Sequence, residues 1–150
     1  MISQIARSDI LKCMDCACFN LRKAARAITH LYDEMLRPTG LRTTQFTLLV
    51  ATKMLEPITV TRLAKIGVMD RTTLTRNLRP LEKQGLIQIT LGKDQRTRVV
   101  TLTPEGQKAL ARALPLWRKA QTRVIKELGQ ERWNSLKAYL AEVVSLVDKN

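Results

Sequence analysis

Acidic and aromatic residues are scarce in this sequence. Thirteen Asp and Glu stand against 26 Lys and Arg, for a formal net charge of +13 and a pI near 10.3. An excess of that size implies a polyanionic partner, either nucleic acid or an acidic membrane surface. Only one histidine is present, and there is no glycine-rich phosphate loop, no Ser/His/Asp set and no carboxylate pair spaced for acid–base work. No enzyme, metal site or cofactor is therefore expected. Aromatics make up 4% of the chain. Single-stranded RNA readers stack bases on aromatic rings, and this chain has only four Phe or Tyr. Apolar runs are short as well, and none approaches the roughly 18 residues that cross a bilayer. The opening "MISQIARSDILK" lacks the apolar core of a signal peptide. These absences predict a cytoplasmic protein with no membrane partner. Cysteines number three, all within "CMDCACF". An odd count without a signal peptide argues against a disulfide framework.

What is present suits one globular domain over residues 1–150, since 45% of the residues are hydrophobic. The charge is uneven. Residues 1–40 carry six basic and four acidic side chains, residues 41–103 carry eleven and four, and residues 104–150 carry nine and five. The excess gathers in the middle, which a uniformly solvated basic surface does not explain.

Periodicity predicts the elements. Met14, Cys18, Leu21, Ala25, Ile28, Tyr32 and Met35 alternate by four and three, a helical stripe over residues 8–36 that leaves His30 on the opposite face. A second helix begins near Thr43 or Thr44, burying Phe46, Leu49, Val50 and Met54. A short third covers residues 60–66 and stops at Gly67. A fourth is capped by Asp70, buries Leu74, Leu78 and Leu81, and stops at Gly85. Residues 86–91 and 99–102 read as a hairpin around the polar turn "GKDQRTR". Pro104 opens another helix, in which Pro115 predicts a kink or break. A last helix from Glu131 lines up Trp133, Leu136, Leu140, Val143 or Val144, and Val147.

The reading is mainly α with a small β-hairpin: a winged helix-turn-helix over residues 41–103, flanked by helices in 1–40 and 104–150. The flanking apolar stripes lack a third layer to cover them, and a homodimer is the simplest closed solution. In helix-turn-helix proteins the leading turns of the second helix enter the major groove of double-stranded DNA. Here those turns carry Arg71, Thr72, Thr73, Thr75 and Arg76. Arg donates two bonds to guanine, and Thr either bonds a base or phosphate or packs its methyl on thymine. Arg79 and Lys83 are weaker candidates for phosphate contacts. At the wing tip Lys93, Arg96 and Arg98 reach phosphates or a minor groove.

"LAKIGVMDRTTLTRNLRPLEKQGLI" followed by "GKDQRTRVVTLTPEGQKAL" resembles the multiple-antibiotic-resistance regulator (MarR) family of bacterial transcription factors. The likeness is most specific at Asp94-x-Arg96, Leu102-Thr103 and Gly106. It implies a dimeric repressor on a palindromic operator, released by a small phenolic ligand or by oxidation. Arg96 would be the wing arginine and Asp94 the carboxylate that orients it. The family often has Leu-Gly where this chain has Gly67-Val68. "CFNLRKAARAITHLYD" is similar to the first helix of the organic-hydroperoxide-sensing branch. That likeness puts a reactive thiol at Cys18 and a tyrosine that bonds it at Tyr32, with Arg22 where the branch has another tyrosine. Cys13 and Cys16 share a neighbouring helical edge, away from Cys18, so one helix does not gather all three thiols around a metal. The alternatives are a small-ligand repressor with structural cysteines and an RNA-binding module.

Overall fold

The computed structural model describes residues 5–148. Its elements in order are α1 (Arg7–Lys12), α2 (Ala17–Leu36), α3 (Thr43–Leu55), β1 (Ile58–Thr59), α4 (Val60–Ile66), α5 (Arg71–Lys83), β2 (Ile87–Leu91), β3 (Arg98–Leu102), α6 (Pro104–Leu128) and α7 (Gln130–Asp148). The fold is a winged helix-turn-helix between long flanking helices.

The hairpin expected from the sequence gains a third strand. β1 pairs antiparallel with β3, Ile58 opposite Val100, so the sheet order is β1-β3-β2. Two residues are too few to show a period, which is why Ile58-Thr59 read only as a lead into α4. The main core lies between this sheet and helices α3 to α6. Leu49, Ile58, Leu63, Leu74, Leu78, Leu81 and Val100 are its most enclosed members. A smaller cluster of Tyr32, Ala120 and Val124 joins α2 to α6.

The first helix departs from its expected span of 8–36. It breaks at a 3-10 turn, Cys13–Asp15, and restarts after Cys16, whose ψ of 119° is not helical. The Asn20 side-chain amide donates to the carbonyls of Met14 and Cys16, both at 3.0 Å. Asn competes for backbone groups in this way, and apolar spacing carries no record of it. Cys13 and Cys16 therefore do not share one continuous helix with Cys18. Met54, expected in the core, is 77% exposed at the end of α3, and Leu48 and Thr52 are buried instead.

Neither internal proline breaks its helix. α5 continues through Pro80 and α6 through Pro115. Each proline frees the carbonyl four residues earlier, on Arg76 and on Ala111. All four residues are exposed, so water can take the freed acceptors.

α4 stops at Gly67, and the left-handed residue that follows is Val68, at φ 50°. The amides of Val68 and Met69 close the turn onto Lys65 and Ala64. A β-branched residue there is strained by about 1–2 kcal/mol. Glycine relieves the strain but adds freedom to the unfolded chain. Val68→Gly is expected to stabilise the protein by roughly 0.5–1 kcal/mol, read as a higher urea midpoint at unchanged slope. A lower midpoint would show that packing of the valine outweighs its backbone strain.

Candidate nucleic-acid interface

Asp70 ends the α4–α5 turn and caps α5. Its carboxylate accepts the Thr73 amide and the Thr73 hydroxyl, each at 2.7 Å. These bonds, the hydroxyl's first, hold the Asp70 carboxyl below the usual carboxylate range. Behind the helix, Leu74, Leu78 and Leu81 are fully enclosed. That anchor turns the other side outward. Arg71, Thr75 and Arg79 fall one turn apart, with Thr72 and Arg76 beside them. All five line one shallow hollow of about 380 Å³ on the outer face of α5. Arg71, Thr72, Arg76 and Arg79 are exposed; Thr73 and Thr75 are half-buried.

The guanidiniums are not neutralised. The ion pairs among the described residues are Lys12–Asp9, Arg37–Glu34, Lys53–Glu56 and Lys108–Glu105. None involves Arg71, Arg76, Arg79 or the basic side chains of the wing. A row of free cations held by a rigid apolar anchor is suited to an extended polyanion.

At the wing, Lys93, Asp94, Arg96 and Arg98 are all exposed. Asp94 meets Arg96 through the backbone and not as an ion pair. Its carboxylate accepts the Arg96 backbone amide at 3.0 Å, while its carbonyl accepts the Thr97 amide at 2.8 Å. Asp94 thus shapes the turn, and the Arg96 side chain stays free.

Two supports of this interface have no local signature in the sequence. Glu56, at the end of α3, accepts the Leu102 amide at 2.9 Å and the Lys53 ammonium at 3.0 Å. The Leu102 bond, then Lys53, lower its pKa. Glu56 so ties the α3–β1 corner to the end of the wing. Asp33 on α2 accepts the Thr43 amide at 2.6 Å and caps α3 from a different element. Asp33 therefore joins the first long helix to the winged helix-turn-helix.

Cys13, Cys16 and Cys18 are all exposed. No group of three or more His, Cys, Asp or Glu placed to hold a metal occurs among the described residues. Tyr32 lies fourteen residues beyond Cys18 on α2, about 21 Å along a helix, so the two do not bond within one protomer. The Tyr32 hydroxyl donates instead to the Gln121 side-chain oxygen on α6, and burial raises its pKa. Tyr32, Thr43, Thr47, Trp117 and Gln121 line a cleft of about 220 Å³ where α2, α3 and α6 meet. The Thr43 hydroxyl oxygen is buried with no partner. Trp117 stacks on Phe46 with ring centroids 6.1 Å apart. No helix among the described residues is long and apolar enough to cross a membrane.

The MarR family model matches residues 39–97, from just after α2 to the turn between β2 and β3. The chain is 31% identical over 88 residues to the uncharacterized HTH-type transcriptional regulator YwoH of Bacillus subtilis, a match over 59% of this chain and 64% of that protein. It thus spans less than two thirds of that relative's length. The Mycobacterium tuberculosis transcriptional regulator MosR, solved in complex with DNA, is 36% identical, with a TM-score of 0.82 over 89% of this chain and 97% of that one. A mutant of Escherichia coli MarR, complexed with operator DNA, superposes with a TM-score of 0.78 over 93% of this chain and 99% of that one; at 22% identity that likeness speaks for the fold alone. Likeness to MosR over nearly its whole length, joined to a family match over residues 39–97, places this chain in the MarR family.

Proposed function

We propose that the protein is a homodimeric, cytoplasmic transcriptional repressor that binds a palindromic operator in double-stranded DNA. The observation that carries this reading is the outer face of α5, where Arg71, Thr72, Thr75, Arg76 and Arg79 stand free of acidic partners over three enclosed leucines. The DNA-bound state of MosR supports it. A two-fold dimer would set two α5 helices about 34 Å apart, one duplex turn. In this reading Arg71, Thr72 and Arg76 meet base edges. Thr73 holds the cap, and Lys93, Arg96 and Arg98 hold the backbone beside the wing.

The test is binding of a duplex selected from a random-sequence library, compared with unselected duplex. Affinity should fall about 10³-fold or more between 50 and 200 mM salt. Arg76→Ala should weaken the selected duplex roughly tenfold or more and random duplex little, whereas Arg96→Ala should weaken both alike. Equal losses on both duplexes from both variants would remove Arg76 from base reading.

Release is assigned to oxidation of the N-terminal cysteines. Three exposed thiols sit at the α1–α2 junction, beside an apolar stripe. Oxidation there adds polar groups, or a cross-link, next to the surface assigned to the dimer. Mild peroxide should lower operator affinity, dithiothreitol should restore it, and Cys18→Ser should bind DNA without responding. If Cys18→Ser responds like the parent, the alternative is a small-molecule effector. The α2–α3–α6 cleft, with its unpartnered Thr43 hydroxyl, favours that second reading.

A further inference from the structure

The three threonines of α5 differ in what they have left to offer a ligand. The Thr73 hydroxyl donates its proton to Asp70 at 2.7 Å, and the Thr75 hydroxyl donates its proton to the Arg71 carbonyl at 2.8 Å. Of the three, only Thr72 keeps a hydroxyl without a partner among the described residues. A hydroxyl has one proton. Thr75 therefore has none to give to guanine, to thymine O4 or to a phosphate.

The same bond sets where the Thr75 methyl points. With the oxygen turned back over the preceding turn, the methyl takes another staggered position. The one that drives into that turn is disfavoured in helices, which leaves the one directed off the helix flank. Thr75 lines the hollow shared with Arg71 and Arg79, one turn to either side. The aliphatic stems of those arginines give the hollow apolar walls. In the major groove the one apolar group on a base edge is the C5 methyl of thymine.

We infer that Thr75 reads a thymine in the bound duplex through its methyl group, by apolar contact with the C5 methyl, and not through its hydroxyl. This rests on the DNA-binding reading above. It makes Thr75 a specificity residue whose chemistry is steric and apolar, between two arginines that supply charge.

The test replaces each thymine of the library-selected duplex, one at a time, with uracil, which removes only the C5 methyl. The parent protein should lose about fourfold in affinity at one thymine of each half-site, and about 15-fold when both are replaced. Thr75→Val, which keeps the methyl and removes the hydroxyl, should retain both the affinity and the sensitivity to uracil. Thr75→Ser, which keeps the hydroxyl and removes the methyl, should bind thymine and uracil duplexes alike. Circular dichroism melts confirm that both variants fold. The inference is overturned if Thr75→Ser still discriminates, if Thr75→Val loses affinity while Thr75→Ser keeps it, or if no thymine is sensitive to uracil. If the parent protein enriches no duplex from the library, the operator reading fails and takes this inference with it.

Discussion

Gly106→Ala is expected to lower the melting temperature by about 10 °C, or to prevent folding outright. Gly106 lies in the first turn of α6, where helix propensity alone would favour alanine by up to about 1 kcal/mol. The surroundings decide the opposite sign. A Cβ at this position would sit 1.9 Å from the Leu86 carbonyl oxygen, which is backbone and not a movable side-chain end. That carbonyl is itself held, since it accepts the Thr103 amide at 3.1 Å. The Thr103 hydroxyl in turn donates to the Gly85 carbonyl at 2.6 Å and accepts the Gly106 amide at 3.0 Å. The start of α6 and the start of the wing therefore form one locked corner. Relieving the overlap means opening that corner, at roughly 3 kcal/mol or more. Gly85→Ala is a useful comparison. Its φ is 69° but nothing lies within 4 Å of its Cβ, so only the left-handed backbone penalty of about 1 kcal/mol applies. A melt of Gly106→Ala within about 2 °C of the parent would mean that α6 and β2 do not approach this closely in solution.

Leu140→Glu is expected to convert the protein to monomers at micromolar concentration and to cut operator affinity at least a hundredfold. Leu140 is 38% exposed, yet it lines an apolar hollow of about 380 Å³ with Leu21, Ile28, Trp133 and Leu136, between α2, α6 and α7. No described side chain of α7 is buried, and Leu136, Tyr139, Val143, Val144 and Leu146 are exposed as well. Val147, expected on the same face, lies outside the described side chains. A surface this apolar is covered in the assembled state or it aggregates. In a two-fold dimer one substitution acts twice. Each copy loses about 2 kcal/mol of apolar burial and also leaves a carboxylate unpaired in the seam. A monomer holds one half-site and loses the gain from linked binding. Since Leu140 is not buried within its own chain, the melt of the isolated protomer should change little. Light scattering reads the outcome. The dimer assignment fails if the parent protein is a stable monomer at micromolar concentration. It also fails if Leu140→Glu keeps both the parental mass and the parental affinity.

Features written within one or two helical turns are legible in residue order. Asp70 caps α5 three residues from the amide that it accepts. Leu74, Leu78 and Leu81 select the buried face by their spacing, and Gly85 marks the exit. The outward direction of Arg71, Arg76 and Arg79 follows from that same 3.6-residue period. Alternating residues around a polar turn were enough for β2 and β3. The tertiary structure alone decided the contacts between distant segments. Glu56 meets Leu102 across 46 residues, and Tyr32 meets Gln121 across 89. β1 exists because β3 offers it an edge. Gly106 is required because Leu86 comes close to it. Apolar stripes were legible along α2 and α7, but not which surface would cover them. A periodic pattern states that a face avoids water and not what it packs against. Residue order also does not show which polar side chains bond within their own chain. The hydroxyls of Thr73 and Thr75 and the carboxylate of Asp94 are occupied by their own chain. A hydrogen bond is settled by direction and by distances of a few tenths of an ångström, which residue order does not carry and packing does.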